Sequence, residues 1–154
     1  MRVSVSLCAC LGFLWSGPVA GQELCDMTED QANCTRVLAC IGTDGRWFHG
    51  RAFGRGAGTL TGRMDDGVQC SGVWIARNVV GVGQADVTCS DGMTVRVIYY
   101  YQDEETGTAR GLGRSNRGAV VKAWSGNHVL DYFRNNAPDS RARLICGTTE
   151  IPLS

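Results

Sequence analysis

Residues 66–92, DGVQCSGVWIARNVVGVGQADVTCSDG, decide how the rest of the chain reads. The stretch opens and closes on Asp-Gly, Asp66-Gly67 and Asp91-Gly92. It carries Cys70 and Cys89 on either side of a Gly-x-Gly at Gly81 and Gly83. An outgoing run ending near Trp74, a reversal around Asn78 and a glycine-marked return describe two antiparallel strands. If the reversal is centred between Val79 and Val80, positions 70 and 89 fall opposite each other. Directly opposed Cβ atoms of an antiparallel pair sit at disulfide distance, so a cross-strand Cys70–Cys89 bridge is expected.

The same punctuation recurs outward. Asp44-Gly45, Asp66-Gly67 and Asp91-Gly92 follow one another at 22 and 25 residues, and Arg117-Gly118 comes 26 later as a degenerate fourth. Between them stand Gly56/Gly58, Gly81/Gly83 and Gly111/Gly113, and an aromatic follows each turn: Trp47, Trp74, Tyr99 and Trp124. Such a period marks an internal repeat. Asp-Gly suits the positive-φ geometry of hairpin turns, and a strand glycine marks a bulge or a close backbone approach. Met93 to Gln102, MTVRVIYYYQ, alternates most regularly and is the strongest single strand. Asp103 to Gly107 is an acidic turn that lacks the spaced oxygen ligands of a calcium loop. Ala119 to Trp124 is a further strand, and Asn127 is placed to cap a helical turn over Val129 to Phe133. Asn135 to Ser140 reads as a loop and Arg141 to Cys146 as a last strand. The expectation is a mainly β fold, an antiparallel β-meander or small barrel of glycine-punctuated hairpins over residues 43–154.

Ahead of it lie two other segments. Met1-Arg2, the apolar run Val3 to Trp15 and the small residues to Gly21 have the layout of a secretory signal peptide over residues 1–21. Residues 22–42 read as a short helical segment. Thr28 and Gln31 form a capping-box pattern, Cys34, Val37, Leu38 and Ile41 share one helical face, and Gly42 is the stop. Removing 21 of the 154 residues leaves 133, the size of one domain. The full chain carries 15 basic and 15 acidic side chains, and without Arg2 the balance is 14 to 15. With no basic excess, nucleic acid and an anionic membrane surface are disfavoured as partners.

Of eight cysteines, Cys8 and Cys10 fall in the signal segment. The remaining Cys25, Cys34, Cys40, Cys70, Cys89 and Cys146 are an even set in an exported chain, so three disulfides are expected. Cys146 should tie the C-terminus to the cysteine-rich N-terminal segment. No Cys-x-x-Cys occurs, and the two histidines, His49 and His128, are far apart in sequence, so no metal or cofactor is expected.

Catalytic inventory is thin. Ser125-Gly126-Asn127-His128 spells the letters of the SGNH hydrolases, but in that family the four residues come from four separated blocks, and four consecutive residues cannot set a nucleophile against its base. There is no nucleophile elbow. Asp65, Asp66, Asp91, Glu104 and Glu105 sit in turns, where carboxylates are solvated. Each Gly-x-Gly is followed by another strand-like run, which is not the helix a nucleotide fingerprint requires. Trp47, Trp74, Trp124 and the run Tyr99-Tyr100-Tyr101 are the aromatics a binding surface would use, against the alternative that they are core.

The spacing Asp66-Gly67, Gly72-Val73-Trp74, Gly81-Val82-Gly83, Asp91-Gly92 resembles the membrane occupation and recognition nexus (MORN) repeat, which implies a β-meander used for protein or lipid contact. A second resemblance rests on Cys89-Ser90-Asp91-Gly92 followed by the strand Met93 to Tyr99 and on the terminal Cys146. That outline is similar to the periplasmic inhibitors of C-type lysozyme, which implies a small barrel with an inhibitory loop; Val129 of Ser125 to Val129 stands where that family has a tyrosine. The glycine-rich style also resembles exported proteins of Gram-negative bacteria and implies that address.

The functional expectation is a non-catalytic, periplasmic or secreted β-domain that binds another envelope component, protein or glycan, with no stable membrane insertion after signal removal. The first alternative is a lysozyme-inhibitor-like protein using Ser125 to Val129 or Asp103 to Thr108 as a protruding loop. The second is a small secreted hydrolase.

Overall fold

The short alternating runs close on themselves. The computed structural model describes residues 34–154, and in it eight strands form a closed up-and-down barrel in sequence order. They are β1 (Cys34–Ile41), β2 (Arg46–Arg55), β3 (Ala57–Met64), β4 (Gln69–Ile75), β5 (Gly83–Cys89), β6 (Thr94–Gln102), β7 (Ala109–Ser115) and β8 (Val120–Gly126). Each pairs antiparallel with the next, and β1 pairs with β8, Arg36 opposite Gly126 through Ile41 opposite Val121. Closure satisfies both edges that an open meander would leave unpaired.

The hairpin turns are built alike. At Met64, Cys89 and Ser115 the residue's carbonyl accepts from the glycine three positions on, Gly67, Gly92 or Gly118, while its own N–H donates to the carbonyl one position further. In each turn only the glycine has positive φ, between 81° and 89°. These are three-residue hairpins closed by a glycine bulge, in which the left-handed residue carries no Cβ penalty. Asp66 and Asp91 precede it and accept from the N–H two residues on, that of Val68 and of Met93. In the last of these turns Arg117 takes the aspartate's place and reaches back to Asp91 at 2.8 Å. Together with the Asp44-Gly45 turn between β1 and β2, these turns gather at one end of the barrel.

Register follows from the reversal. Ile75 pairs with Gln84 and Cys70 with Cys89, and Cys70 and Cys89 are disulfide-bonded with Cα atoms 3.9 Å apart. The inward face at the turn end is filled by Val37, Ala39, Ile41, Phe48, Leu60, Met64, Met93, Val97 and Val121, together with the bridge.

The segment read as an N-terminal helix is corrected. Its residues 34–41 are β1, in which every position from Val37 to Ile41 is buried. Val37, Ala39 and Ile41 enter the barrel core, and Leu38 and Cys40 enter a second core outside it. A strand covered on both faces shows a continuous apolar run, and such a run contains helical spacings by coincidence. Thr28 and Gln31 lie outside the described residues, as do the signal segment and Cys25.

The second core is made by the C-terminal unit. Helix α1 (Val129–Asn135) and the two-stranded ribbon of β9 (Arg143–Cys146) and β10 (Thr149–Pro152) lie against the outer face of β1 and β8. The helix falls where the turn over Val129 to Phe133 was expected, but its N-cap is His128, with no side-chain capping bond, and not Asn127. Leu38, Cys40, Val129, Leu144 and Ile151 are buried together there, and Cys40–Cys146 bridges barrel to ribbon. Cys34 is also disulfide-bonded.

Candidate functional site

The two barrel ends differ in filling. At the turn end the interior is occupied apart from a void of about 40 Å³. At the other end, bounded by the β4–β5 loop and the β6–β7 turn, a cavity of about 510 Å³ opens. That volume lies in the range of small-ligand pockets, roughly 300–1,000 Å³.

Small inward residues leave the room. Ala52, Gly83, Ala85 and Ala109 line the cavity where the turn end has Phe48 and Met64. Gly83 and Gly111 stand opposite Tyr99 on its two neighbouring strands. A Cβ at Gly111 would come within 2.5 Å of Val97 Cγ1 and 3.0 Å of the Tyr99 ring, so glycine there makes space for the phenol. Tyr99 lines the cavity, and burial alone pushes its hydroxyl above the ordinary range, with no charge or hydrogen bond contributing. Thr35 and Ser125 add two further hydroxyl-bearing side chains to the wall. Trp74 completes it, its indole N–H held by the Phe53 carbonyl at 3.0 Å.

The rim is apolar and exposed. Ile75, Val79, Val80, Tyr100 and Tyr101 are all exposed large hydrophobics, and Val79 at the loop tip is fully so. Asn78 shapes that loop: its carbonyl accepts from Gly81 N–H, and its side-chain oxygen accepts from Val80 and Val82 N–H. Arg110 stacks over Tyr101 at 5.6 Å. The register shifts at a bulge between Tyr99 and Tyr101, and Tyr100, half exposed, lines the mouth.

The residues singled out in the sequence are dispersed. Of the three tryptophans, Trp74 faces the cavity, while Trp47 and Trp124 pack in the second core, Trp124 with Phe133 at 5.4 Å between ring centroids. His49 lies on the outer wall of β2 and His128 at the start of α1, 3.4 Å from Asp131. Ser125 lines the cavity and Val129 is fully buried in the second core, while Asn127 and His128 between them are exposed. Asp103 to Thr108 is a self-bonded turn with Thr106 and Thr108 buried. Asp103 accepts from the Thr106 N–H first and from its hydroxyl, and both bonds hold its carboxyl below the usual range. Asp91 is lowered likewise, first by the Met93 N–H and then by Arg117. Asp65, Asp66 and Asp91 sit at the turn end, away from the cavity, and the side chain of Asn135 donates to Glu105. Among the described residues no group of three or more His, Cys, Asp or Glu is placed to hold a metal ion.

Of the aromatics singled out in the sequence, Trp74 and the run Tyr99 to Tyr101 line the cavity; Thr35 and Ser125, as hydroxyl companions of Tyr99, were missed. The signal was present in the inward glycines at 83 and 111, but it has meaning only once the register sets them beside Tyr99.

No protein-family profile and no curated protein matches the chain. Among solved structures, a redesigned β-barrel, mFAP0, bound to DFHBI is similar at 13% identity and a TM-score of 0.47, over 61% of this chain and 95% of that one. A de novo designed fluorescence-activating β-barrel gives 14% identity and a TM-score of 0.48 over 64% and 98%. Likenesses at this level say nothing about ligand or activity. No helix among the described residues is long and apolar enough to cross a membrane, which leaves strands unaddressed.

Proposed function

We propose that the protein is a non-catalytic exported binding module whose ligand enters the loop end of the barrel. The observation that carries this reading is the cavity of about 510 Å³ beside a filled core. Its wall sets what fits. Trp74, Leu60, Val37 and Ala85 offer apolar surface, and Tyr99, Thr35 and Ser125 offer hydroxyls that would orient one polar group. The partner is therefore an envelope component that presents an apolar group with a single polar attachment. Non-catalytic use is supported by the positions of the histidines: neither His49 nor His128 lines the cavity, so Ser125 has no imidazole beside it there.

The test is capture from an envelope extract by the full-length, disulfide-bonded chain, with bound molecules read by native mass spectrometry. The wild-type chain should retain a ligand, and Ala85→Phe, which fills the cavity from the wall, should lose it. Equal retention by both chains would overturn the reading, and so would turnover of the captured molecule.

A further inference from the structure

A second cluster of polar side chains lies on the outer wall, on strands that also build the barrel. Inward residues fix which side chains face out: Val37 and Ala39 on β1, Phe48 and Ala52 on β2, and Leu60 and Met64 on β3 all enter the core. Arg36, His49, Arg51 and Arg63 alternate with these and so share the outer face. Register makes them neighbours, Arg36 directly opposite Arg51 and His49 directly opposite Arg63. Like charges placed directly opposite on a sheet are destabilising. The His49 imidazole is lowered first by burial and then by Arg51, Arg63 and Arg36, and Arg51 is lowered by burial and by Arg36, with no carboxylate acting on either.

Two further observations indicate an anion. Arg51 Nη1 is buried without a hydrogen-bond partner, the one such side-chain atom among the described residues. An unsatisfied buried donor costs about 1–3 kcal/mol, more when charged, and an acceptor oxygen would offset this. The neighbours of Arg51 in the cluster, Arg36 and His49, line with Arg63 a groove of about 410 Å³ whose apolar wall is Trp47 and Leu153; Arg51 itself lies behind that lining. The groove's acidic residue, Asp65, is already engaged by the Trp47 N–H and by Arg46 at 4.0 Å. Arg36 donates one bond, at 3.1 Å, to a main-chain oxygen of Ser154, the last residue of the sequence, which also lines the groove; the rest of its fork is left for a ligand.

We propose that Arg36, His49 and Arg63, which line this groove, with Arg51 beside them on β2, form a binding site for a phosphate-class oxyanion, either free phosphate or the phosphate of a lipid headgroup. Guanidinium forks match tetrahedral oxyanions in geometry and stay charged when partly buried. The site is separate from the barrel cavity and stands whether or not that cavity binds a ligand.

The experiment titrates inorganic phosphate into the full-length, disulfide-bonded chain at constant pH and ionic strength and follows the His49 ring signals by NMR. Saturable movement of those signals is expected. Arg63→Gln, at an exposed position, should weaken binding about tenfold or more, the loss of one charge-assisted hydrogen bond, and Arg51→Met should do the same while keeping its packing. Arg55→Gln, on the same strand as Arg51 but outside the cluster, should leave the affinity unchanged. Sedimentation with phosphatidylcholine vesicles, with and without phosphatidic acid, separates the sources: cosedimentation only with phosphatidic acid assigns the lipid headgroup, and phosphate binding without it assigns the free anion. No saturable movement, or equal loss in Arg55→Gln, overturns the proposal.

Discussion

Tyr99 and Gly111 stand directly opposite each other on β6 and β7, and a Cβ at position 111 would approach the Tyr99 ring to 3.0 Å. Gly83 stands opposite Tyr99 on its other side, with a corresponding approach of 3.1 Å to its Cβ. The phenol is thus seated between two glycines at the base of the cavity. Gly111→Ala should force Val97 or Tyr99 out of place and destabilise the barrel by about 1–3 kcal/mol, the usual cost of overpacking. Urea denaturation measures the loss, and the near-ultraviolet circular dichroism of Tyr99 should change with it. An unchanged midpoint would show that the glycine is not required.

Tyr99 also predicts a pH dependence. Its hydroxyl is raised above its ordinary value by burial, so the folded state keeps the proton that the unfolded chain releases at about pH 10. Between the unfolded and the folded value the folded state binds more protons, and stability falls as pH rises. The wild-type chain should therefore lose stability from about pH 10 upward. Tyr99→Phe should remove that part of the alkaline loss in denaturation curves collected across the range.

The two described bridges close loops of different span. Cys70 and Cys89 are 19 residues apart, and Cys40 and Cys146 are 106 apart. Replacing the first pair by alanine should cost about 3 kcal/mol and the second about 4–5 kcal/mol on the loop-entropy scale. Loss of Cys40–Cys146 should also raise amide exchange in β9 and β10 ahead of the barrel strands. Uniform exchange across both units would contradict a separately docked ribbon.

Outward positions should differ in tolerance around the barrel. Leu38 on β1 is 1% exposed beneath the C-terminal unit, whereas Val73 on β4 is 58% exposed. Leu38→Ala should cost about 2–5 kcal/mol, as buried leucine truncations do, and Val73→Ala less than about 0.5 kcal/mol. Thermal melts of the two variants check the contrast. Similar shifts would mean that the unit does not cover β1 in solution.

Much of the barrel could be read locally. The Asp-Gly pairs, the central position of the reversal and the Cys70–Cys89 register depend on residues within one hairpin, where chain connectivity leaves few alternatives. The strand from Met93 to Gln102 showed itself by simple alternation. β1 did not, because the pattern of a strand buried on both faces depends on what covers its outer side, and that cover comes from residues far along the chain. Trp47 and Trp124 offered the same ambiguity. Their aromatic character was plain, but whether they face a ligand or a second core depends on where α1 and β10 dock.

By itself, then, the sequence determined the hairpins, their turns and the antiparallel β class, since alternation, turn chemistry and cysteine spacing act over a few residues. Tertiary structure decided that the meander closes through β1 and β8, that small inward residues on separate strands add up to one cavity, and that Arg36, His49, Arg51 and Arg63 meet on one wall. Each of these depends on pairing register between strands, and a one-residue slip in any of them would turn the inward set outward.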